Sequence, residues 1–106
     1  MDKYKLIEQA NKYNFNSNFL YNKPYKYSNK EKIRWYFWMC ELNFWFNEKY
    51  DIHIVLTINP YSSTELYNYK IYKNSPDMRC IKSNDNLNTD KISALYEALI
   101  ESFKII

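Results

Sequence analysis

The chain contains no glycine among its 106 residues. That absence removes whole classes of chemistry. A P-loop, a G-x-G-x-x-G dinucleotide fingerprint and a G-x-S-x-G nucleophile elbow each need backbone that turns with positive φ or closes on a ligand without a Cβ in the way. Histidine is almost as scarce. His53 stands alone, and no Cys or His recurs at metal-ligand spacing, so no metal site is expected. The two cysteines, Cys40 and Cys80, both fall in segments that read as core, where reduced, buried thiols are expected rather than a disulfide. No stretch approaches the ~18 uninterrupted apolar residues of a membrane span. The start, Met-Asp-Lys-Tyr-Lys, lacks the apolar run of a secretory signal, which makes the cytoplasm the expected location.

Catalytic constellations are missing as well. His53 is expected on the outer face of a strand, with no oriented partner apparent for general acid/base work. Glu41 and Glu48 lie two turns apart on a helix flank with Arg34, the arrangement of a solvated charged stripe. No catalytic residue, cofactor or enzymatic activity is expected.

What is present describes an ordinary globular domain. The apolar fraction of 46% and charged fraction of 25% are those of a folded chain, and the length suits one domain over residues 1–106. Asn, Lys, Ile and Tyr make up nearly half the residues. Their codons are rich in A and T, whereas glycine codons start with GG, so an AT-rich genome accounts for both biases. The aromatic fraction of 20%, dominated by 12 Tyr, is partly that same effect. Trp is not, because its codon carries two Gs. Trp35, Trp38 and Trp45 are therefore the cleaner signal. The net charge of +3 is concentrated in the first third of the chain.

Asp2 can cap a helix over about 3–13. Residues 14–28 are rich in Asn and Ser and contain Pro24, which predicts an irregular connector tied down by Phe15, Phe19 and Leu20. Ser28 and Glu31 then form an S-x-x-E capping box before a helix over about 29–49. Only Glu41 and Asn43 interrupt its apolar run from Trp35 to Phe46. Projected at ~100° per residue, the run separates into two stripes. A broad one holds Trp35, Trp38, Met39, Leu42, Trp45 and Phe46. A narrow one on the opposite side holds Ile33, Phe37, Cys40 and Phe44. Arg34, Glu41 and Glu48 run between them on one flank, Asn43 and Asn47 on the other. A helix lying on a sheet needs only one apolar stripe, so the narrow one must be covered, either by the first helix and connector or by a second chain.

Residues 52–58 alternate as a half-buried strand, with Ile52, Ile54, Leu56 and Ile58 on one face. NPYSST makes a hairpin connection in which Asn59 can take positive φ. A second strand over about 65–73 sets Tyr67, Tyr69 and Ile71 on one face. A third around Met78–Lys82 is weaker. Thr89 or Asp90 caps a closing helix over about 91–104, amphipathic through Ile92, Leu95, Tyr96, Leu99, Ile100 and Phe103. The expected fold is α+β in two layers. It runs helix, helix, antiparallel meander of two or three strands, helix, with helices on one face of the sheet and residues 29–106 as its core.

From the second helix onward this α-β-β-β-α order resembles the double-stranded RNA-binding domain. That family uses a lysine cluster at the start of its last helix and a histidine-bearing loop between its first strands. Here those places read TDKIS, with Lys91 alone, and NPYSST, so the resemblance stops at topology. A closer resemblance lies in WYFWMCELNFW (Trp35–Trp45), DIHI (Asp51–Ile54) and YEALIESFKII (Tyr96–Ile106). Together they are similar to small uncharacterised proteins of phages and prophages. The resemblance spans about the last 70 residues and implies a mobile-element origin, hence residence in host cytoplasm. It implies no activity.

The function expected first is a non-catalytic phage or mobile-element accessory protein acting by protein–protein contact, with itself (as a homodimer) or with a host target such as a defence component. The candidate interface is Ile33, Phe37, Cys40 and Phe44. The alternative is nucleic-acid binding by the basic aromatic segment, through Lys23, Tyr25, Lys26, Tyr27, Lys30 and Arg34, where cations neutralise phosphates and rings stack on bases. A virion or assembly component is the third expectation.

Overall fold

A computed structural model describes residues 2–16, 28–58, 66–73, 79–83 and 90–106. The elements, in chain order, are α1 (Lys3–Lys12), α2 (Ser28–Tyr50), β1 (Ile52–Ile58), β2 (Tyr67–Lys73), β3 (Arg79–Ser83) and α3 (Lys91–Ile105). The protein is thus α+β, with a helix–helix–meander–helix order. The weak third strand is real.

Two helix starts follow directly from their caps. The Asp2 carboxylate accepts from the Lys5 backbone N–H at 3.2 Å, and that of Asp90 accepts from Ser93 N–H at 2.7 Å. Each satisfies an N–H that the first helical turn leaves free. Ser28 and Glu31, the proposed box at the head of α2, have side chains outside the described residues. So do Phe19, Leu20 and the NPYSST connection.

Glycine-free turns are made by other residues. Asn14 (φ 62°) follows α1, and Asp51 (φ 54°) is the single residue between α2 and β1. Both are types whose short polar side chains tolerate the left-handed region. Asp51 reverses the chain in one step, which ties the end of α2 tightly to the start of the sheet.

The sheet is antiparallel in the order β1-β2-β3. Ile52 pairs with Lys73 and Ile58 with Tyr67 at the two ends of the first ladder. In the second, Ile71 pairs with Lys82 but Tyr72 with Cys80, so Ile81 is an extra residue on the edge strand. That bulge breaks the alternation of β3, which explains why the strand was faint in the sequence.

Helix α3 packs on β1 and β2, α2 packs on β1 and against α3, and α1 packs on α3. The broad stripe of α2 is the centre of the core. Trp35, Trp38, Met39, Leu42 and Phe46 are buried with Ile52, Tyr69, Ile71, Leu95, Leu99 and Phe103. Full burial of each large side chain contributes roughly 1.5–3 kcal/mol. Ring geometry fixes their arrangement. Trp35 and Trp38 stack at 5.1 Å, and Phe46 meets Phe103 edge-on at 4.8 Å. Phe15 is buried as expected, edge-on to both Trp38 and Trp45. Leu6 and Ala10 complete the core from α1, and the Tyr96 hydroxyl donates to the Asp2 carbonyl at 2.8 Å, locking α1 to α3.

Candidate functional site

Packing α2 on the sheet and α3 by its broad stripe turns the narrow stripe outward. Ile33 is 52% exposed, Phe37 44% and Phe44 63%, while Cys40 is half-buried among them. Of the cover expected from the first helix and the connector, α1 supplies none, and residues 17–27 of the connector lie outside the described residues. Leu6 and Ala10 are spent on the core, and Phe15 lands on Trp38 and Trp45 at the edge of the broad stripe.

Two open grooves flank the exposed strip and meet at Phe37. Toward the C-terminal half of α2 lies one of ≈ 490 Å³, with Phe15, Phe37, Cys40, Phe44 and Trp45 forming its apolar floor and Glu41 and Glu48 its rim. Toward the N-terminal half lies a second of ≈ 570 Å³, between Ile33, Tyr36, Phe37 and Ile92, with Lys32 and Lys91 beside it. The strip is apolar along its length, acidic at one end and basic at the other.

The polar groups around it are held in place. Lys91 lies over the Tyr36 ring at 5.5 Å, and the Tyr36 hydroxyl holds its ammonium above the ordinary value. Burial pushes the Cys40 thiol up, against the opposing pull of Tyr36 and Lys91. A thiol so placed is a poor nucleophile at neutral pH. The Oδ1 atoms of Asn43 and Asn47, on the opposite flank from Glu41 and Glu48, are enclosed and accept no hydrogen bond among the described residues.

Two sequence readings need correction. Cys80 is exposed, not buried. Its register partner is Tyr72, on the face of β2 turned away from the helices, and β3 is the edge strand, with no layer over that face among the described residues. His53 does have an oriented partner. The Asp51 carboxylate lies 2.7 Å from its Nε2. Sequence spacing gave no hint, because a residue two before a strand position ordinarily shares its face only when both are extended, and Asp51 is left-handed. The pair fixes the ring on the outer sheet face, next to Tyr72 in register. It provides no nucleophile.

Of the nucleic-acid candidates, Lys23, Tyr25, Lys26 and Tyr27 lie outside the described residues, as does the side chain of Lys30. Arg34 is half-buried on the flank of α2. Among the described residues no group of three or more His, Cys, Asp or Glu could hold a metal ion, and no helix is long and apolar enough to cross a membrane. No protein-family model, curated protein or solved structure matches the chain.

Proposed function

We propose that the protein is a non-catalytic interaction module that docks a protein partner on the narrow stripe of α2, and that it serves a phage or other mobile element as an accessory protein. The observation that carries this reading is the exposure of Ile33, Phe37 and Phe44 on one face of a helix whose other face is fully used by the core. Single exposed apolar residues are commonplace, but a contiguous apolar strip with polar rims is the usual character of a docking surface. Its grooves are apolar, with charges only at the margins, as at the core and rim of protein interfaces. The origin in a mobile element rests on the resemblance of the Trp helix, the I-H-I strand and the closing helix.

A photo-crosslinking amino acid at position 44 tests the docking surface in cells. It should yield a discrete protein adduct that Phe37→Ser weakens. The same probe at Tyr4, an exposed residue of α1, should not yield that adduct. No adduct at position 44, or an equal one at position 4, overturns the reading.

A further inference from the structure

We infer that the free edge of β1 takes an extended segment of a partner protein as a fourth strand of the sheet. This site is separate from the narrow stripe of α2, and its use does not depend on that stripe.

The sheet has two edges, β1 and β3. An edge strand offers a row of unpaired N–H and C=O groups, and proteins ordinarily blunt it with charge, proline, a bulge or brevity. β3 is blunted in three of these ways. It has five residues, is bulged at Ile81 and carries Arg79 and Lys82. β1 is blunted in none. Its seven residues, IHIVLTI, include no Lys, Arg, Asp, Glu or Pro, and its ladder to β2 runs unbroken from Ile52 to Ile58. Among the described residues no strand pairs with its other edge.

The helices leave room there for one strand. α3 spans β1 and β2, whereas α2 packs on β1. Neighbouring helices stand about 8–10 Å apart, close to two strand spacings of about 4.8 Å each. α2 is therefore carried outward past β1 and roofs its free edge. What lies beneath is incompletely covered, for Ile54 and Leu56 point toward the helices yet are only half-buried. Asn43 and Asn47 stand one turn apart on the flank of α2 opposite Glu41 and Glu48, whose own side is taken by Phe15. Their enclosed Oδ1 atoms accept no hydrogen bond among the described residues. An unmet buried acceptor is destabilising, and a strand added under that flank brings donors to both.

The same geometry excludes a second copy. Two β1 strands paired antiparallel lie about 4.8 Å apart, with both α2 helices on one face. Each helix then overhangs the other's strand, and axes that need about 8–10 Å cannot share that space. A parallel two-fold pair fails differently, because it sets N–H opposite N–H and C=O opposite C=O. An edge of about 23 Å also offers less than the roughly 800 Å² per partner of a stable dimer. The occupant is a single extended segment that brings no helix of its own to that face, held chiefly by main-chain hydrogen bonds.

The probe is the peptide Lys-Val-Thr-Val-Thr-Val-Thr-Val-Lys, titrated to about 1 mM against the isotope-labelled full chain by nuclear magnetic resonance. In the free chain, alternate amides of β1 should exchange quickly with solvent while those bonded to β2 are protected. The peptide should protect the fast set and leave the β3 amides unchanged. N-methylation of every second peptide residue in one phase should weaken binding at least about tenfold, and in the other phase should leave it nearly unchanged. Fast-set amides already protected in the free chain overturn the inference, because something else then holds the edge; sedimentation at twice the chain mass would identify it as a second copy. No protection at about 1 mM, an equal response at β3, or equal effects of the two N-methylated peptides also overturns it.

Discussion

Phe44 and Phe46 are two residues apart on α2, yet the structure assigns them opposite fates. Phe46 has no exposed surface and is wedged against Phe103, Trp45 and Tyr50. Truncating a buried phenylalanine to alanine costs about 3–5 kcal/mol, from lost transfer energy plus the cavity. A chain of this length is stable by about 5–15 kcal/mol in all, so Phe46→Ala should remove a fifth or more of the total and lower the urea midpoint sharply. Phe44 is 63% exposed. With little over a third of its surface covered, and full burial worth at most about 3 kcal/mol, Phe44→Ala should cost about 1 kcal/mol or less. Urea unfolding followed by circular dichroism at low micromolar chain keeps association out of the comparison. The difference between the variants, at least about 2 kcal/mol, is the quantity of interest. Equal losses from the two would falsify the two-stripe description of α2, because they would require the narrow stripe to be covered within the monomer.

Burial, reinforced by the carboxylates of Glu101 and Glu97, pushes the Tyr69 hydroxyl up to about 12 from an ordinary 10.0. The folded state therefore holds this proton more tightly than the unfolded chain does. The associated stability is fully present below the ordinary value and is lost as pH rises through the folded one. Ultraviolet titration of phenolate should show a late-ionising component that Tyr69→Phe abolishes, and its persistence in that variant would refute the assignment. Asp90→Ala removes the cap of α3 and should cost about 0.5–2 kcal/mol; an unchanged melting temperature would mean the Ser93 N–H finds another acceptor. Asn14→Gly places glycine where φ is positive and should stabilise by up to about 1 kcal/mol, read as a rise in urea midpoint, with Asn14→Ala moving it the other way.

Much of the fold was legible because periodicity and caps agreed. Asp2 and Asp90 were both candidates for caps, and the alternation of Ile52, Ile54, Leu56 and Ile58 marked β1 to the residue. The broad stripe of α2 was readable nearly residue by residue: Trp35, Trp38, Met39, Leu42 and Phe46 are buried and Trp45 partly so. Failures came where geometry departs from a single period. The bulge at Ile81 disguised β3 and with it the exposure of Cys80. The left-handed turn at Asp51 hid the contact with His53. Both depend on a local backbone conformation that residue type permits but does not dictate. The narrow stripe was visible in the sequence, but its exposure was not, because whether α1 reaches it depends on how α1 docks on α3.

The composition of the narrow stripe sharpens why that exposure matters. A chain this rich in Lys and Asn has polar residues to spare for any solvent-facing helix position. On α2 exposed polar residues appear at Lys32, Glu48 and Lys49. They are missing from Ile33, Phe37 and Phe44, which are exposed, and from Cys40, which is half-buried against the edge of the core. Random drift toward Ile and Phe would place them on any face, mixed with Lys and Asn. Exposed Val55, Ile58 and Ile81 on the sheet show that drift does place apolar residues elsewhere, but on α2 the exposed ones fall on a single seam, and that concentration is what the proposed docking surface accounts for.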